Sequence, residues 1–209
     1  MKPTIVFWYE FASTYSYLAA MRIDAEGERF GVAIEWRPFL LGPIFMSQGW
    51  ATSPFNIYPA KGRYMVRDIE RIAAARGLPF RMPQTFPGHG LKAARLAIAA
   101  RSFNGTSQFS RAVFRAAFAE GADISDDDVL TGCLAAAGLE PARLWDMSSE
   151  ASVKSALRQN TEDAQALGIF GAPSFTTADG ELFWGDDRLE QALRWPGTGG
   201  LPASAGEGD

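Results

Sequence analysis

The chain has 209 residues, 47% hydrophobic and 21% charged, the proportions of an ordinary globular protein of one domain, or of one domain carrying an insertion. A formal net charge of −4 with no basic block argues against nucleic-acid binding, because phosphate affinity comes from clustered Lys and Arg. One cysteine (Cys133) and one histidine (His89) leave no internal disulfide, no Cys-x-x-Cys pair and no cysteine-based zinc site, so no metal is expected.

Residues 3–11 read as a buried, aromatic strand ending at Ala12. Ser13 then caps a helix over 13–30, its side-chain oxygen accepting from an orphan N–H of the first turn. That end of a helix also favours an anion, a thiolate included. Gly31 suits the position after the helix. Residues 32–36 read as a second strand stopped by Arg37-Pro38, which makes a βαβ unit with a right-handed crossover. From Gly42 to Pro59 runs a long segment rich in Gly, Pro, Ser and aromatics, and long loops are often functional. Within it Trp50, Phe55 and Tyr58 either line a pocket for a flat apolar ligand or plug the loop against the body.

The middle of the chain is helical. Residues 61–76 carry Met65, Ile69, Ile72 and Ala73 on one stripe and end at Gly77. Residues 89–103 form a further helix, with His89 as a cap at its start. Thr106 caps a helix stopped at Gly121, Ser125 with Asp128 forms a weak capping box, and Ser149 opens a last long helix to Leu167. Cys133 reads as a small buried hydrophobe. Residues 174–177 and 181–184 flank Ala178-Asp179-Gly180, a hairpin signal. Asp186 or Asp187 caps a final helix over 188–194, and the tail over 196–209 is expected to be disordered. No apolar run reaches membrane-span length. The N-terminus lacks a secretory pattern, so a cytoplasmic protein without membrane contact is expected.

Three features converge: Ser13-Thr14-Tyr15-Ser16 at the strand-to-helix turn, Gly168-Ile169-Phe170-Gly171-Ala172-Pro173-Ser174-Phe175 with its proline at a strand start, and Gly185-Asp186-Asp187-Arg188 after the hairpin. With the order βαβ, helices, ββα, the chain resembles the thioredoxin fold in its DsbA-like form. More narrowly it resembles the 2-hydroxychromene-2-carboxylate isomerases and their relatives, the kappa-class glutathione transferases. The segments Pro38-Phe39-Leu40-Leu41-Gly42, Ser53-Pro54-Phe55 and Pro59-Ala60-Lys61-Gly62-Arg63-Tyr64-Met65 add to the match.

The resemblance implies an α/β thioredoxin-like domain built from 1–42 and 166–195 with an all-helical insertion over 43–165. Ser13 and Ser16 stand at the spacing of the two cysteines of redox members. Without a thiol the turn cannot exchange disulfides, and the resemblance implies a sulfur brought in by glutathione as cofactor. Ser13 would then be catalytic, donating to that sulfur and favouring its ionised form. Ala172 and a cis Pro173 would hold the cysteinyl part, and Asp186 and Asp187 the γ-glutamyl ammonium. Arg188 carries no assignment. Relatives commonly carry a polar residue near Ala51, where only Thr52 can substitute here. Phe39, Trp50 and Phe55 are candidate contacts for an aromatic carboxylate substrate. Glutathione-dependent isomerisation in aromatic degradation by a homodimer is the leading expectation. A kappa-like transferase and a non-catalytic binding module of the same fold stay open.

Overall fold

The structure is a computed structural model and describes residues 2–50 and 52–197. Ala51 and the tail beyond Gly197, on which two of the sequence expectations fall, lie outside the described residues. Four strands, β1 (Thr4–Tyr9), β2 (Ala33–Pro38), β3 (Ser174–Thr177) and β4 (Leu182–Trp184), form one sheet in the order β2-β1-β3-β4. β1 runs parallel to β2 and antiparallel to β3, with Trp8 opposite Ser174 and Phe7 opposite Phe175. β4 completes the sheet antiparallel to β3. This is the DsbA-like thioredoxin fold.

Alternation along β1 sorts its large side chains onto two faces. Phe7 and Tyr9 are fully buried in the main core. Phe7 stacks on Phe175 across β3 at a ring-centroid distance of 5.6 Å and meets Trp36 of β2 edge-on at 4.9 Å. Trp8 faces the other way, into a smaller cluster with Phe39, Ile44, Ala164 and Ile169. Its indole N–H donates to Thr176 Oγ1 at 2.9 Å, a buried tie between β1 and β3.

The helix expected over 13–30 is two helices, α1 (Thr14–Ala20) and α2 (Ile23–Phe30). The chain breaks at Arg22, whose backbone is non-helical and whose guanidinium reaches across to Asp186. Gly31 ends α2 with φ +69°, as its lack of a Cβ allows. The long segment after β2 holds two short helices, α3 (Leu41–Ser47) and α4 (Pro54–Ile57), before α5 (Pro59–Ala75). Next come α6 (Leu91–Ala100), α7 (Thr106–Arg115) continuing as a π-helical turn to Glu120, and α8 (Asp127–Ala136). The stretch before Ser149 is itself helical, α9 (Pro141–Ser148), and α10 (Ala151–Ala166) starts two residues later than expected. Finally α11 (Leu189–Arg194) packs back against α2 and β3.

Several caps differ from expectation. Gly90, not His89, precedes α6. Thr106 lies inside α7 and donates to the Ala97 carbonyl. Asp126, rather than Ser125, caps α8 by accepting from the Asp128 N–H. Among the described residues no helix is long and apolar enough to cross a membrane.

The β1–β3 tie gives a first test. Replacing Thr176 with Val leaves the buried Trp8 indole N–H without its acceptor and is expected to cost about 1–3 kcal/mol, measured by denaturant unfolding.

Candidate active site at the first turn of α1

Antiparallel pairing of β1 with β3 brings the segment before β3 alongside the turn that follows β1. Ser13 occupies that turn as the N-cap of α1, with φ −87° and ψ 114°. Its Oγ accepts from the Ser16 N–H at 3.1 Å and its hydroxyl donates to the Ala172 carbonyl at 2.8 Å. Two residues 159 apart in sequence are thus joined directly, and the bond between Ala172 and Pro173 is cis. Ser16 itself is fully buried, and among the described residues its hydroxyl has no hydrogen-bond partner.

Glu10, unremarked in the sequence, closes the turn from below. Its carbonyl accepts from the Ser13 N–H at 3.0 Å and its Oε2 from the Ala12 N–H at 3.1 Å. Oε1 lies against Gly90, 3.1 Å from where a Cβ would stand. Burial pushes the Glu10 carboxyl from 4.5 up to about 7, against a smaller downward pull from the Ala12 N–H. An acid ending an otherwise apolar, aromatic strand was the signal available in the sequence.

The two acids after the hairpin have different surroundings. Asp186 is 3% exposed and is held by two arginines. Its Oδ1 accepts from Arg22 Nε at 3.2 Å and Arg76 Nη1 at 3.1 Å, and its Oδ2 from Arg76 Nη2 at 2.7 Å. The carboxylate expected to grip an ammonium therefore already faces two guanidiniums. Asp187 is open, with a side chain 72% exposed and Arg188 Nη1 at 3.3 Å. The turn over 186–188 packs against α1, and Asp187 contributes to the raised pKa of Tyr15, behind burial, Asp68 and Tyr64. Arg22 and Arg76 carried no signal in the sequence, since each reads as an ordinary polar helix residue.

The aromatic candidates also divide. Phe39 is fully buried beside Trp8 on the far face of the sheet, so it packs the core and cannot touch a substrate. Trp50 and Phe55 are half-buried, Trp50 against Phe45 with ring centroids 5.7 Å apart. Thr52 is exposed, and its Oγ1 accepts from Asn56 Nδ2 at 3.1 Å. Cys133 is buried in α8, where desolvation, with a contribution from Glu120, pushes its thiol up to about 11. A thiol that protonated is a poor nucleophile. Among the described residues no group of His, Cys, Asp and Glu is placed to hold a metal ion.

The family model described as DSBA-like thioredoxin domain matches residues 4–194. The 2-hydroxychromene-2-carboxylate isomerase of Sphingobium xenophagum is 30% identical over 191 residues, covering 91% of this chain and 96% of its own. The glutathione S-transferase kappa 2 of Caenorhabditis elegans is 26% identical over 203 residues, covering 91% and 90%. A solved 2-hydroxychromene-2-carboxylate isomerase structure matches with a TM-score of 0.83 at 21% identity, over 93% of this chain and 94% of that one.

The Glu10 environment makes stability depend on pH. Its folded pKa lies above its ordinary 4.5, so its contribution is full below that value and is lost as pH rises through about 7. Glu10→Gln keeps an acceptor for Ala12 and removes the titration. Thermal melts across this range should show a smaller fall in Tm for the variant than for the parent.

Proposed function

The chain belongs to the DSBA-like thioredoxin family, among the 2-hydroxychromene-2-carboxylate isomerases, and from that membership we propose that it is a glutathione-dependent isomerase. Its substrate on this reading is an aromatic carboxylate of the 2-hydroxychromene-2-carboxylate type. The observation that carries the reading is the Ser13 hydroxyl, 2.8 Å from the Ala172 carbonyl at a helix start that holds no thiol of its own.

The residues present suit a cysteinyl tripeptide: a hydroxyl donor, a backbone carbonyl within its reach and an exposed carboxylate on a neighbouring turn. Glutathione supplies the thiolate nucleophile and is regenerated. Ser13 has a single hydroxyl hydrogen, now given to Ala172. Turned to the sulfur, it stabilises the ionised thiol and lowers its pKa. The Ala172 carbonyl is thereby released to accept a backbone N–H, as from an added strand. Asp187 accepts a charge-assisted bond from the γ-glutamyl ammonium. Thr52 accepts from Asn56 through its oxygen and keeps its own hydrogen to donate. Trp50 and Phe55 offer an apolar wall for the substrate ring. Action as a homodimer in the cytoplasm, within aromatic degradation, belongs to the same proposal.

Transfer to form a stable conjugate is the second reading, favoured by the similarity to the kappa transferase. Product analysis separates the two: isomerisation returns glutathione unchanged, whereas transfer consumes it one for one. In either case Ser13→Ala is expected to lower the glutathione-dependent kcat/KM about 10²–10³-fold, the usual cost of one anion-stabilising donor. The same change removes a helix cap, worth about 1 kcal/mol, so a melt accompanies the kinetics. Undiminished turnover by a folded variant would remove Ser13 from the mechanism.

A further inference from the structure

Three elements meet behind the proposed site. Arg22 stands at the break between α1 and α2, Arg76 just past the end of α5, and Asp186 at the start of the turn that carries Asp187. Arg76 grips Asp186 with both terminal nitrogens, and Arg22 adds a third bond to the same carboxylate. Arg22 Nη2 also donates to the Asp186 carbonyl at 2.6 Å, and its Nη1 pairs with Glu190. Two guanidiniums and two carboxylates balance, so the cluster contributes no net charge to the turn. Asp187 is then the uncancelled acid beside it, apart from its exposed contact with Arg188. Its Oδ1 lies over Gly185, 2.5 Å from where a Cβ would stand, and Gly185 has φ +107°. The backbone of this turn is held by the Gly185 N–H on the Pro173 carbonyl at 3.0 Å, the Arg188 N–H on the Gly185 carbonyl at 3.0 Å and Arg22 on the Asp186 carbonyl, and Arg76 adds its hold through the Asp186 side chain.

We propose that Arg76 is a positioning residue for the ammonium end of glutathione: its fork on Asp186 holds the 185–187 turn so that Asp187 faces the first turn of α1. The inference rests on the proposed glutathione site and adds a requirement to it. Arg76 touches no ligand and acts through Asp187 alone. A planar, bidentate fork fixes direction as well as distance, so a lysine restores the charge without the geometry.

Calorimetry with glutathione tests this. Arg76→Met is expected to raise Kd about tenfold, near 1.4 kcal/mol, with Arg76→Lys in between. Asp187→Asn should lose a similar amount, and the double variant should bind no more weakly than Asp187→Asn alone, because both changes remove one interaction. A glutathione analogue without the α-amino group should bind the parent and Arg76→Met equally. Melting curves establish that each variant is folded, and Arg76→Lys serves where Arg76→Met does not fold. Equal glutathione affinity for the parent and a folded Arg76 variant overturns this inference alone, as do losses that add or that extend to the analogue. No glutathione binding by the parent overturns this inference and the proposed function together.

Discussion

One hydrogen bond joins the two halves of the site: the Ser13 hydroxyl on the Ala172 carbonyl. Local sequence preference cannot make it, because its ends are 159 residues apart. The sheet makes it. Trp8 pairs with Ser174 and Phe7 with Phe175, so whatever precedes β3 must arrive beside whatever follows β1. The stacked Phe7 and Phe175 rings and the buried bond from Trp8 to Thr176 hold that register. A one-residue slip would turn Phe7 out of the core, and it would also carry Ala172 away from Ser13. The stability of the central sheet and the geometry of the site are thus one constraint.

Around this bond three acids sit within a few residues of the site in sequence or space, and each is handled differently. Glu10 is half-buried with no cation among the causes acting on it, and its carboxyl rises to about 7. Asp186 is more deeply buried but faces two guanidiniums. Removing either arginine would leave this buried carboxylate on a single partner. Asp187 stays in water. Burial and pairing, rather than residue type, decide which acid remains available to a ligand.

The parts of this arrangement written in short-range rules were legible. Ser13 as a cap, Gly31 after the helix, the Asp-Gly hairpin and the strand beginning after Pro173 each follow from a few neighbouring residues. The break at Arg22 was not legible, and the carboxylate that its guanidinium meets there, Asp186, lies far along the chain. The roles of Asp186 and Asp187 could not be separated either, since their difference lies in Arg76, 110 residues from Asp186. Phe39 shows the same limit. Its place after β2 suggested a loop near ligand, yet the alternation of β1 turns Trp8 toward it and encloses both. Only the contact across the sheet reveals that it is core.

The turn carries two hydroxyls, Ser13 and Ser16, and they differ in what they can do. Ser16 is sealed in the core, without a partner among the described residues; a buried hydroxyl left unpaired costs about 1–3 kcal/mol, and no ligand can reach it. Ser13 is half-buried, accepts from the Ser16 N–H and already spends its one hydrogen on a carbonyl. Releasing that hydrogen to a sulfur frees the carbonyl at the same moment. On the proposed reading the incoming backbone N–H fills the acceptor that Ser13 vacates, so no buried group is left unsatisfied in the exchange. On that reading the bond from Ser13 to Ala172 is one that the ligand itself replaces, by the turn of one hydroxyl.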